Sequence, residues 1–420
     1  MKIQDFNYGK KAVILFACCF GMIACSDDDS PSGDEVFEIN NLSANKVESI
    51  DSPLKAGENA TYLWSVTSAG SDIYSLTDTH SKSVQLIALP GKYTLELKVT
   101  EGNETQQCKV NVTVKNPSTA YSPYLDKVYD FLPSVGQFTN DLPTYKADDT
   151  KESMIRKVEE NIAGDPKKTS MISLGGFGGY VTFGFDHTII NVTGKRDFRV
   201  LGNAFYADAN PNPETNKKGG SCEPGIIMVA HDKNGNGKPD DDEWYEIAGS
   251  EYNNSKTIHN YEITYYKPDP NMEPDQETGS YVSIKDYIYW EDNQGNTGYK
   301  EKNIYHEQSY YPEWINEDKI TFKGTLLPPN GVDESGTGSY WVLYALDYGY
   351  ADNRPNTEDN SAIDIDWAVD RNGNKVKLPG IDFVKVYTGT NQECGWVGET
   401  STEVAGAEDL HLLNISIASN

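Results

Sequence analysis

Period-two alternation constrains this chain more than any other feature. Tyr93, Leu95, Leu97 and Val99 alternate with Thr94, Glu96 and Lys98, and after the turn Glu101-Gly102-Asn103-Glu104 the pattern returns as Cys108, Val110, Val112 and Val114. Successive strand residues face opposite sides of a sheet, so such runs bury one face and expose the other. Tyr62-Leu63-Trp64-Ser65-Val66 predicts a further core strand with a buried Trp64. Short alternating strands parted by turns argue for a small antiparallel sandwich over residues 36–115. From residue 169 onward, β-like runs at 180–185, 198–201, 225–230, 261–266, 340–345 and 381–387 are punctuated by Gly, Asn, Asp and Pro, and long helical patterns are missing. The fold class is therefore all-β, with the small sandwich followed by a larger β-sandwich of jelly-roll type over residues 169–420.

Between them, residues 116–168 read as a connector interrupted by Pro117, Pro123, Pro133 and Pro143. One short connecting helix is expected over 150–163. Asp149 is placed to cap it with Glu152 three residues on, Met154, Ile155, Val158 and Ile162 make an apolar face, and Gly164 ends it.

The N-terminus reads as an address. Lys10 and Lys11 precede an apolar run from Ala12 to Ala24, too short for a spanning helix and typical of a secretory signal over residues 1–24. Met22-Ile23-Ala24-Cys25 resembles a bacterial lipobox, which implies that Cys25 is lipidated and becomes the N-terminus. The following Ser26-Asp27-Asp28-Asp29 resembles the surface-export signal of lipoproteins of the Bacteroides group, with residues 25–35 as an acidic linker. An ordinary cleaved signal with an incidental Cys25 is the alternative.

With 36 basic and 64 acidic residues the formal charge is −28. Phosphate backbones and anionic membrane surfaces need clustered Lys and Arg, so nucleic acid is excluded as a partner and membrane contact is left to the lipid anchor. Of six Cys, Cys18 and Cys19 leave with the signal and Cys25 is the anchor, leaving Cys108, Cys222 and Cys394. An odd count excludes a disulfide framework. Cys222 and Cys394 read either as a bridge or as two free thiols.

The strongest motif is Asp232-Lys233-Asn234-Gly235-Asn236-Gly237-Lys238-Pro239-Asp240-Asp241-Asp242-Glu243. Asp232, Asn234 and Asn236 stand at positions 1, 3 and 5 of a calcium loop, Gly237 permits its turn and Lys238 offers a carbonyl. Asp240 stands at position 9, and Glu243 closes the site with two oxygens. The strand-like 225–230 before it and Pro239 within it are wrong for an EF-hand, so a structural Ca2+ in a strand–loop–strand is expected. An Asn-Gly-rich turn without metal is the alternative. Asp370-Arg371-Asn372-Gly373-Asn374 repeats only the first part and reads as a hairpin turn.

No catalytic constellation stands out: there is no zinc signature, no nucleophile elbow, and 64 acidic residues are too many to pick out a glycosidase pair. Gly175-Gly176-Phe177-Gly178-Gly179 fits no phosphate-binding pattern and predicts close backbone approach before a strand. Aromatic residues crowd 252–314, and Tyr289, Trp290, Tyr310, Tyr311 and Trp314 are the candidate ligand-binding residues, since flat faces with polar edges suit sugar rings or a planar cofactor.

Two resemblances sharpen the reading. Tyr62-Leu63-Trp64 and Gly91-Lys92-Tyr93-Thr94-Leu95 resemble immunoglobulin-like modules of the polycystic-kidney (PKD) type, which implies a spacer or a binding module. Asp197-Phe198-Arg199-Val200-Leu201-Gly202-Asn203, Glu223-Pro224-Gly225-Ile226-Ile227, Asp242-Glu243-Trp244-Tyr245-Glu246 and Gly380-Ile381-Asp382-Phe383 resemble a family of Bacteroidetes cell-surface proteins. That resemblance implies a jelly-roll surface lipoprotein accompanying outer-membrane nutrient uptake, corrinoid uptake included. The expectation is a non-catalytic, cell-surface lipoprotein of the outer membrane that binds an extracellular small molecule or glycan, with a TonB-dependent transporter as partner and glycan or corrinoid as ligand. A glycan-active hydrolase and a structural or adhesive transporter accessory are the alternatives.

Overall fold

The computed structural model describes residues 35–207, 217–277 and 279–419. The expected signal, Cys25 and most of the expected acidic linker lie outside the described residues. Among the described residues no helix is long and apolar enough to cross a membrane.

The alternation at 93–99 and 108–114 builds the first sandwich. Its larger sheet runs Val36–Ser43, Glu104–Lys115, Gly91–Glu101, Thr61–Ser68, the first pair parallel, and a three-stranded sheet of Glu48–Asp51, Ser83–Ala88 and Tyr74–Thr77 covers it. Trp64, Tyr93, Leu95, Leu97, Val99, Cys108, Val110 and Val112 fill the space between. Trp64 is 2% exposed, and its indole N–H donates to the Ser81 carbonyl at 3.1 Å. Burial pushes the Cys108 thiol up to about 11, so it is an inert core residue.

The second sandwich is organised by a seven-stranded antiparallel sheet. Its path is Ala368–Val369, Trp244–Ile247, Gly225–Ala230, Gly380–Thr388, Tyr180–Ile190 and Lys127–Leu132, with Tyr350–Ala351 paired to the start of Gly225–Ala230. Lys127–Leu132 comes from the segment expected to be a connector. Its Val128 and Phe131, brought to one face by the irregularity between Val128 and Asp130, bury against the main core, so the supposed connector is built into the second sandwich. The helix Lys151–Ile162 packs there through Met154, Val158 and Ile162. Its cap is Thr150, not Asp149: Thr150 and Ser153 exchange the reciprocal bonds of a capping box, while Asp149 accepts from the Ser153 hydroxyl at 2.9 Å.

One face of the main sheet carries Val181, Phe183, Ile227, Val229, Val384 and Val386 into that core. The opposite face is partly roofed by a second, four-stranded sheet of Thr297–Asn303, Val282–Asp292, Ile258–Tyr266 and Lys319–Leu326. The glycine run serves close approach: a Cβ on Gly179 would lie 1.9 Å from the Leu174 carbonyl oxygen. Asp370–Asn374 is the expected hairpin turn, with the Asp370 N–H donating to the Asn374 carbonyl at 2.9 Å. The two sandwiches meet at Ile87, Ile190 and Val192, all buried. Cys222 and Cys394 do not pair; both are free and buried, their sulfurs turned to the Phe205 carbonyl and the Thr400 hydroxyl respectively.

Candidate functional site

A single register row fixes the site. Glu246 pairs with Met228, Met228 with Lys385, Lys385 with Thr182, and Thr182 with Asp130, so all five share the face turned away from the main core. Two residues from Glu246, Trp244 shares that face. The roof comes from elsewhere: Tyr252 and His259 from the segment entering the second sheet, Lys323 and Thr325 from Lys319–Leu326, and Arg371 from the 370–374 hairpin. Between floor and roof is a cavity of about 510 Å3.

Its polar groups are tuned by burial. The Glu246 carboxyl is pushed up to about 7 by burial, against the opposing bond donated by the Thr325 hydroxyl at 2.8 Å. Burial also lowers the Lys385 ammonium, which sits 3.9 Å from the centroid of the Tyr180 ring. The Tyr180 hydroxyl donates to Asp130 at 2.6 Å, and Lys151 pairs with Asp130 at 2.8 Å, so that carboxylate is already engaged. Tyr252 and His259 pack with ring centroids 4.5 Å apart, and the His259 ring is hydrogen-bonded to the Tyr252 carbonyl at 3.1 Å and the Thr325 hydroxyl at 3.3 Å. Gly324 lets the roof descend: a Cβ there would lie 2.7 Å from the Tyr387 ring. Aromatic walls with a few convergent polar groups are the make-up of a small-ligand pocket.

The calcium-type loop joins the strands that carry Met228 and Trp244. Asp232 accepts from the N–H groups of Asn236 and Gly237 at 3.0 and 2.8 Å, and Glu243, 2% exposed, accepts from Lys233 and Asp240 at 2.9 and 3.3 Å. The side-chain amides of Asn234 and Asn236 both reach one Asp240 oxygen, at 2.6 and 2.7 Å. Gly235 and Gly237 adopt φ of +70°, which permits the tight winding. The gathered side chains of Asp232, Asn234, Asn236, Asp240 and Glu243 offer oxygen ligands, the donor set of a hard cation, so they fit calcium in kind. They are not drawn fully together: among the described residues, the one trio of acidic, His or Cys ligand atoms within 4.8 Å of each other is Glu223, Asp352 and Glu403. Beneath the loop, Asp382 accepts from the Asp232 N–H at 2.7 Å and bonds the His231 ring at 2.8 Å, which makes His231 an anchor for the loop's base.

The aromatic residues expected to bind ligand divide. Tyr310, Tyr311 and Trp314 are 3%, 1% and 8% exposed and belong to the core, because their segment tucks against the second sheet and the helix side of the main core. Trp290 lies half-buried opposite Gly298, on the inner face of its sheet. Tyr289 faces outward in a ladder with Tyr266 and Tyr299, centroids 5.4 Å apart in each pair, and does not line the cavity. The residues that do line it, Trp244, Glu246, Tyr252, His259, Lys323 and Lys385, were missed. The signal for two was present: in Trp244-Tyr245-Glu246-Ile247 the alternation puts Trp244 and Glu246 on one face.

The site thus belongs to a two-sandwich, all-β protein with a roofed pocket on the second sandwich. Residues 40–114 match the family model described as K319L-like, PKD domain, and the first sandwich is a PKD domain. Two solved structures are similar over that module. The solution structure of the PKD domain from KIAA 1837 protein is 25% identical, covering 23% of this chain and 99% of that one with a TM-score of 0.20. The PKD domain from human KIAA0319 is 22% identical, covering 23% and 100% with a TM-score of 0.16. No curated protein matches the chain.

Proposed function

We propose that this protein captures an extracellular glycan in the cavity between the main sheet and its roof, without catalysis. The observation that carries this is the convergence of Trp244, Tyr252, Glu246 and Lys385 on one space of about 510 Å3. Flat aromatic faces stack on sugar rings, and the polar groups fix hydroxyls. A cavity of that size suits one or two sugar rings better than a corrinoid. The PKD domain supports the placement, as a module suited to adhesion or binding outside the cell. In this reading Cys25 carries the lipid, the acidic linker leads to the outer surface, and a TonB-dependent transporter receives the ligand. A calcium ion, held by Asp232, Asn234, Asn236, the Lys238 carbonyl, Asp240 and Glu243, fixes the strand connection beside the cavity.

Isothermal titration against a panel of oligosaccharides and cobalamin tests the reading. Binding of a glycan that Trp244→Ala weakens at least 10-fold, with Tyr310→Phe unaffected, supports it. Cobalamin binding with silence from every glycan replaces glycan by corrinoid, and silence from both removes capture.

Glu246 favours a second reading, a glycan-active hydrolase, because a carboxyl near 7 suits a general acid. The Asp370 carboxylate lines the same cavity, but it accepts from the Asn372 and Asn374 N–H groups and the Asn374 amide. Capture is the better account; released product that disappears in Glu246→Gln would reverse that order.

A further inference from the structure

We infer that the cavity selects anionic sugars, carboxylated or sulfated, through the Lys385 ammonium on its floor and Lys323 and Arg371 at its rim. This rests on the capture reading and names the ligand class of the same site.

In a chain of formal charge −28, cations are scarce and acids are the default surface group. Yet this cavity gathers Lys323, Arg371 and Lys385 with His259. Among the described residues Lys385 makes no salt bridge; its ammonium lies 3.9 Å from the Tyr180 ring centroid, and the carboxylates of Asp130 and Asp241 act on it from beyond ion-pair distance. Lys323 reaches Glu262 only at 4.0 Å, and Arg371 donates to a neutral carbonyl, that of Asp241, at 3.0 Å. Lys385 is half-buried without an ion pair, while Lys323 and Arg371 stand exposed at the rim. The floor cation is therefore held ready for an anion from outside, because a charge with poor solvation gains most from a new counter-ion.

The acids of the cavity do not cancel this. The Asp370 carboxylate is occupied by three N–H donors within its own turn. Glu246 keeps its proton up to about pH 7, and so offers a hydrogen-bond donor where an ionised carboxylate would repel. Asp241 is exposed at the mouth, where solvent screens it. Trp244 and Tyr252 supply the stacking faces that a sugar ring, rather than a small inorganic anion, would use. A protein so acidic repels anions at long range, so affinity for one must be built locally, and the three cations are that local device.

The test is titration of the intact mature protein with tri-galacturonate, a chondroitin sulfate tetrasaccharide, and neutral cellotriose and maltotriose. The expected result is binding of at least one anionic sugar at least 10-fold tighter than either neutral one, weakening as salt rises. The uronate and the sulfated sugar separate the two sources of charge. Lys385→Gln should weaken the anionic sugar about 10- to 100-fold, the range for a charge-assisted hydrogen bond, and by at least 10-fold more than it weakens either neutral sugar. Lys385→Arg should keep most of the affinity, and Lys323→Gln, at a rim position, should lower it without touching the fold. Equal affinity for anionic and neutral sugars, or Lys385→Gln and Lys323→Gln variants that melt normally and bind the anionic sugar undiminished, overturns the inference while leaving capture intact. Silence from every sugar removes both.

Discussion

Arg371 donates from its guanidinium to the backbone carbonyl of Asp241 at 3.0 Å, tying the 370–374 hairpin to the end of the calcium-type loop. The hairpin is a wall of the cavity, and the loop connects two strands of its floor. Loop order and cavity shape are therefore mechanically joined.

Calcium should raise thermal stability. A ligand that binds only the folded state at 100 times its Kd adds about 2.7 kcal/mol. The melting temperature should rise by several degrees with calcium and fall with EDTA, and Glu243→Gln should abolish the difference. A melting curve that neither addition moves would sink the metal site.

Stability should fall from pH 5 to pH 8. The Glu246 carboxyl stands at about 7 when folded, against an ordinary 4.5, so the folded state holds its proton more tightly. That contribution is complete below about pH 4.5 and is lost as pH rises through 7, amounting to on the order of 3 kcal/mol. Glu399, pushed up to about 8 by burial, acts in the same direction. Urea titrations should show Glu246→Gln gaining on the parent protein at pH 8 and not at pH 4.5; equal slopes for the two proteins would refute the assignment.

Trp64→Ala should cost about 3–5 kcal/mol, since the indole is 2% exposed and its removal leaves a cavity and an unpaired Ser81 carbonyl. Chemical unfolding followed by fluorescence reads this, and a loss below about 1 kcal/mol would contradict the packing described.

Gly178→Ala should destabilise by about 1–3 kcal/mol. Its φ is +85°, and the new Cβ would lie 2.2 Å from the Cβ of Phe322, so the main sheet and the roof would have to part. An unchanged midpoint in urea would show that the approach is looser than this.

Thiol titration checks the unpaired cysteines. Cys108, Cys222 and Cys394 are buried, and burial pushes Cys222 up to about 12 and Cys394 to about 11. None should react in the native protein and all three should react in denaturant; a single reactive thiol after denaturation would restore the bridge.

Much of the architecture was legible beforehand. The strands through Trp64, Tyr93 and Cys108, and those at 198–201 and 225–230, fall where alternation and turn residues put them. The connector was misread because Lys127–Leu132 finds its partner far along the chain, at Tyr180–Ile190. Sequence density of aromatics misled in another way: Tyr310, Tyr311 and Trp314 are amphipathic enough for a surface and large enough for a core, and packing decided for the core.

The sequence by itself determined the all-β class, the first sandwich with its buried Trp64, and the oxygen-rich loop at 232–243. These are local periodicities and spacings, set by the two-residue repeat of a strand and the reach of one turn. The tertiary structure decided which outward face is roofed and which is open. Lys385 lies between Val384 and Val386 in the chain, and alternation says only that it points away from them. That Glu246, Trp244 and Tyr252 surround the same space depends on strand register and on a second sheet laid across the first, relationships between residues far apart in the chain.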